Sequence, residues 1–121
     1  MIERLVANPV VHLELRTTNA TRACAFYTQL FGWRTETVRA RDARYQVLGL
    51  GVAIEGGVVE CEDGTPIWLP YVEVADIAET TARARRLGAT VKLEPREGPA
   101  GWRSRLVVPG GSEIALWQPK I

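Results

Sequence analysis

The side chains best suited to chemistry gather in one strand-like segment, Val10 to Arg16, VVHLELR. Successive side chains of a strand point to opposite sides, so Val11, Leu13 and Leu15 form an apolar face while Val10, His12, Glu14 and Arg16 form a mostly polar one. His12 is the single histidine of the chain. Its ordinary pKa makes it a group that changes charge between about pH 5 and 8, and with a glutamate beside it that chemistry is proton transfer or the orientation of a polar ligand. Such a strand either faces bulk solvent or lines a polar cavity, and both readings are open at this level. Four tryptophans and three tyrosines add rigid apolar surfaces with polar tips, suited to stacking on flat organic ligands or to core packing. Arg103 and Arg105 are candidates for an anionic group, although solvated surface arginines are the commoner case. Cys24 and Cys61 lie 37 positions apart without a CxxC and read as structural or incidental thiols.

The elements that must position these residues follow from periodicity and punctuation. Asn19 is a plausible N-cap, Ala23, Phe26, Tyr27 and Leu30 recur on one helical face, and Gly32 tolerates a left-handed C-cap, so 19–31 reads as an amphipathic helix. Thr35 to Arg39, Arg44 to Leu48 and Gly51 to Glu55 read as short strands. Gly56 to Pro66 reads as a glycine-rich, acidic linker, with a possible strand remnant at Val58 and Val59. Leu69 to Val74 reads as a strand, and Asp76 with Glu79 makes a capping-box-like start to a helix that closes at Gly88. Thr90 to Leu93, Trp102 to Val107 and Glu113 to Trp117 are further strands, with PREGPAG and PGGS as loops. The caps Asn19 and Asp76 are offset by 57 positions and the glycines Gly32 and Gly88 by 56, so two tandem βαβββ units are the simplest reading, against two unrelated stretches of similar length. The expected organisation is a single α+β domain over 1–121, with unit one at about 9–57, a linker at about 56–67 and unit two at about 68–119.

Composition removes several classes of function. With 15 Lys plus Arg against 14 Asp plus Glu, the net charge of +1 lacks the basic footprint of a nucleic-acid binder. The longest apolar stretch, Val47 to Ile54, holds two glycines and falls far short of the roughly 20 residues that cross a bilayer. MIERLVANPV has neither a long apolar run nor a small-residue cleavage site, so the expected compartment is the cytoplasm.

The strings HLELRTTNATRACAFYTQLFGW, YVEVADIAETTARARRLGA and VVPGGSEIALWQP together resemble the vicinal oxygen chelate superfamily, the glyoxalase, bleomycin resistance and dioxygenase group, over about 9–119. The resemblance implies a curved mixed sheet with helices outside and a concave ligand cup, into which His12, Glu14 and Arg16 would point. It also implies four metal-ligand positions, which fall on His12, Glu55, Leu69 and Ala115. Leucine and alanine donate no electron pair, whereas catalytic zinc sites normally present three protein ligands. The expectation is therefore no metal or other cofactor; a divalent ion, if one bound, would sit on His12 and Glu55. The implied ligand wall consists of His12, Glu14, Glu55, Leu69, Tyr71, Ala115 and Trp117, with Trp102 closing over the rim.

This wall resembles that of the drug-sequestering members, which implies binding of an aromatic or amphipathic small molecule and a homodimer, without nucleic-acid or membrane partners. The alternative is an enzyme: a glyoxalase-type lyase or isomerase with a rearranged metal site, a dioxygenase relative, or a metal-free catalyst moving a proton through His12 with Glu14 or Glu55. Enolate-forming chemistry also needs an electrophile, and none is evident without a metal.

Overall fold

The computed structural model describes residues 8–40, 43–51, 54–62 and 64–120. In chain order the elements are β1 (Val10–Thr17), α1 (Ala20–Phe31), β2 (Thr35–Ala40), β3 (Ala43–Gly49), β4 (Glu55–Glu60), β5 (Ile67–Glu73), α2 (Ile77–Arg86), β6 (Thr90–Glu97), β7 (Gly101–Val107) and β8 (Glu113–Pro119). Two compact units divide the chain: an N-terminal unit, His12–Leu69, and a C-terminal unit, Pro70–Ile121 with the segment ahead of His12. The fold is α+β, and each half spells βαβββ.

The two units share one plan. In the N-terminal unit the strands run β2-β3-β4-β1, with β2/β3 and β3/β4 antiparallel and β4/β1 parallel. In the C-terminal unit they run β6-β7-β8-β5, again with two antiparallel pairs and one parallel pair. The 57-residue offset between the caps thus reflects a true repeat of topology.

Local signals set both helices. The Asn19 side chain accepts a hydrogen bond from the Arg22 amide at 3.0 Å, and Gly32, at φ 71°, returns its amide to the Thr28 carbonyl. Asp76 accepts from the Glu79 amide at 3.1 Å, and Arg83, Arg85 and Arg86 complement the C-terminal end of α2. Under α1 lies a core of Leu15, Cys24, Leu48 and Val58, and under α2 one of Val74, Ile77, Leu106 and Leu116. The second core also holds a buried polar pair, Thr81 and Ser104, whose hydroxyls meet at 3.0 Å.

Two segments differ from the sequence expectation. Residues 56–60, read as linker, belong to β4, and of the strand expected over 51–55 the residues 52 and 53 lie outside those described. Gly56 and Gly57 are there for close approach: a β-carbon on Gly56 would stand 2.9 Å from Leu50 Cδ1, and one on Gly57 2.9 Å from His12 Nε2. β6 runs on to Glu97, past Pro95, because it is an edge strand with register shifts around that proline, where no ladder hydrogen bond from it is required.

Candidate functional site

Leu15 goes into the α1 core, so the alternation of β1 sends His12, Glu14 and Arg16 to the opposite face of the sheet. Parallel pairing with β4 sets His12 opposite Glu55, Glu14 opposite Gly57 and Arg16 opposite Val59. The imidazole leans past its own register position onto Gly57, whose missing side chain makes the room. Glu14 is buried, and its carboxylate accepts from Arg16 Nη1 at 2.8 Å.

Burial disfavours the charged imidazole and draws the His12 pKa below the usual histidine value, while the charges of Glu14 and Glu55 pull partly the other way. His12 is therefore neutral at pH 7 and able to accept a proton. A recess of about 620 Å³ at the β2–β3–β4 edge is lined by Arg34, Thr35, Glu36, Val47, Gly49, Gly51, Ile54 and Glu55; it reaches His12 through Glu55, the register partner of the histidine, and not through the imidazole itself. Val47 and Gly49 pair with Gly57 and Glu55, which puts them on the His12 face. Arg34 and Glu36 were not singled out by sequence; the signal that finds them is the β2–β3–β4 register, which counts outward from Glu55.

In the C-terminal unit Tyr71 pairs with Ala115 and Glu73 with Trp117, while Arg105 and Arg103 oppose Ala115 and Trp117 from β7. The Trp117 indole lies over Gly101, where a β-carbon would come within 2.8 Å of its Cζ2. Leu69 and Ala115 are fully enclosed, and Tyr71 is buried. Arg105 is engaged by Glu113 through Nη2 at 2.6 Å and Nε at 3.2 Å, with Lys92 Nζ at 3.3 Å from the other carboxylate oxygen. Burial pushes the Glu113 carboxyl up, but the hydrogen bonds and charges of Arg105 and Lys92 outweigh it and hold it below the ordinary value. Arg105 is thus a structural ion-pair partner. Among the described residues Arg103 has no carboxylate partner.

Two further tryptophans, of which Trp102 was expected in the ligand wall, are not on these faces. Trp102, expected at a rim, packs under α2 with the Val74, Leu106 and Leu116 core, because antiparallel pairing with Gln118 turns it to the helix side. Trp68 packs under α1 and donates from Nε1 to the Tyr27 hydroxyl at 3.2 Å.

His12 and Glu55 face each other, Glu14 is committed to Arg16, and Leu69 and Ala115 have no donor atoms. Among the described residues no group of three His, Cys, Asp or Glu side chains is assembled to hold an ion. No described helix is long and apolar enough to cross a membrane.

A sheet of this plan with a polar strand face defines a class of protein, and sequence comparison gives the same one. The Glyoxalase-like domain family matches residues 11–117, and the chain belongs to that family. Proteins of Mycobacterium bovis and Mycobacterium tuberculosis, both named "Putative glyoxylase CFP32", are 28% identical over 114 residues, 88% of this chain. The chain spans 44% of the length of those relatives. Hypothetical protein BH1468 from Bacillus halodurans C-125 superposes with a TM-score of 0.71 at 14% identity, covering 95% of this chain and 96% of that one. Methylmalonyl-CoA epimerase from Mycobacterium tuberculosis superposes at 0.64 with 20% identity, covering 93% and 88%. A methylmalonyl-CoA epimerase in complex with methylmalonyl-CoA and NH4+ superposes at 0.65 with 17% identity, covering 93% and 95%. At these identities the likeness is one of fold.

Proposed function

We propose that this chain is a small-molecule-binding protein of the glyoxalase and bleomycin-resistance type, taking an aromatic or amphipathic ligand against the face that carries His12, Glu14 and Glu55, without a complete metal site. The observation that carries this reading is the recess of about 620 Å³ lined by Val47, Gly49 and Glu55, with Glu55 the register partner of His12. Its volume lies in the range of about 300–1,000 Å³ common to small-molecule sites. Trp117, on the corresponding face of the C-terminal unit, is available for stacking. An epimerase of this fold holds a small organic ligand, which supports the class of partner and not its identity. In solution the chain forms a homodimer on this proposal, and light scattering that returned the mass of one chain would remove that part.

A second reading, proton transfer, is favoured by one observation: burial keeps His12 neutral while two glutamates stand ready to stabilise its protonated form. Arg16, the cation on the same strand, is paired with Glu14 and is not offered as an electrophile, which leaves Arg34 of the recess for that role. The experiment is a calorimetric titration of the purified protein with a panel of planar and amphipathic compounds, alongside metal analysis of protein prepared without chelator. Saturable binding that His12→Ala weakens about tenfold supports the proposal. No binding across the panel, or a stoichiometric bound ion, overturns it.

A further inference from the structure

A second concavity lies on the other side of the N-terminal sheet, between α1 and the start of β5. It encloses about 510 Å³, a size that admits a small organic molecule. Its apolar wall is Phe26, Tyr27, Pro66, Ile67 and Trp68. The rings are fixed before any ligand arrives: Trp68 Nε1 donates to the Tyr27 hydroxyl at 3.2 Å, their centroids are 5.5 Å apart at 69°, and Phe26 meets Tyr27 edge-on at 5.2 Å. Phe26 nevertheless stays 57% exposed at the edge of this groove.

The charge of this groove has one sign. Among the described residues that line it are two arginines and no carboxylate. Arg16 spends its guanidinium on Glu14, on the opposite sheet face. That leaves Arg22, one turn before Phe26 on the same helix face, with no acidic partner among the described residues. Rings on one side and a cation one helical turn away match an apolar body with a single negative head.

We propose that this groove is a second ligand site, distinct from the His12 face, for a small amphipathic monoanion: an aromatic or branched apolar body lies against Phe26, Tyr27 and Trp68, and its carboxylate or sulfonate pairs with Arg22. Two dyes of nearly equal shape test it, the anion 1-anilinonaphthalene-8-sulfonate and its neutral counterpart N-phenyl-1-naphthylamine, titrated by fluorescence into the full chain. Arg22→Gln is expected to weaken the anion about tenfold and leave the neutral dye unchanged, while Phe26→Ala weakens both and His12→Ala neither. Arg22 and Phe26 are exposed, so their replacement leaves the fold in place, and circular dichroism checks this for all three variants. Equal effects of Arg22→Gln on the two dyes, insensitivity to Phe26→Ala, or loss of binding in His12→Ala overturns the proposal. So does the absence of saturable binding together with a dimer that Phe26→Ser converts to monomer, a result that assigns the face to a second copy of the chain.

Discussion

His12 Nε2 occupies the space that a side chain on Gly57 would need, 2.9 Å from where its β-carbon would stand. The glycine on β4 and the histidine on β1 are therefore one feature: the strand gives up a side chain so that the imidazole can lean toward the next register position, beside Glu14 and Glu55.

Gly57→Ala tests that coupling. Its backbone needs no left-handed conformation, so the cost is steric alone, and the imidazole must swing away. The expected result is a destabilisation of about 1–3 kcal/mol from overpacking, measured by urea denaturation. In a His12→Ala background the same change is expected to be neutral or stabilising, since alanine outranks glycine within a strand by roughly 0.5–1 kcal/mol.

The His12 shift gives stability an acid slope. Its pKa is lowered by burial in the folded chain, so the unfolded chain takes up the proton first as pH falls below the usual value of about 6.5. Above that value the group contributes nothing to the slope, and from there down through the folded pKa stability is lost. Unfolding free energies measured between pH 7 and pH 5 are expected to decline less in His12→Gln than in the unchanged protein.

Glu113 acts at lower pH with the depressed pKa of a paired carboxylate. Its contribution is present above the ordinary carboxyl value of about 4.5 and fades as pH falls through the folded value. Glu113→Gln is expected to cost about 1 kcal/mol at pH 7 and progressively less toward pH 3, read from the same denaturation series.

Thr81 and Ser104 form a buried hydroxyl pair that a double-mutant cycle can isolate. Thr81→Val or Ser104→Ala alone leaves a partner unsatisfied and is expected to cost about 1–3 kcal/mol. The double variant is expected to cost less than the two single changes together, by about 1 kcal/mol.

Much of this architecture was legible because its determinants are local. The caps at Asn19, Gly32 and Asp76 act through hydrogen bonds within one turn, and the alternation of β1 alone separates Leu15 from His12 and Glu14. β4 was not legible in the same way: Gly56 and Gly57 punctuate a chain when read locally, yet here they are packed against Leu50 and His12, contacts between separate segments. Trp102 escaped for a related reason, since its face depends on how β7 registers with β8, and neither strand reveals that by itself. Leu69 and Ala115 were recognised as lacking metal donors, but their complete enclosure is a property of packing. The second groove at Phe26 and Trp68 joins residues 42 positions apart and carries no linear motif.

Binding at the His12 face can be followed through the chain's single histidine, whose imidazole gives one resolvable set of nuclear magnetic resonance signals. We predict that those signals titrate with a pKa below about 6.5 and shift saturably when a bound aromatic or amphipathic compound from the panel is added. An ordinary histidine titration, with signals that stay still at saturating ligand, would contradict the account.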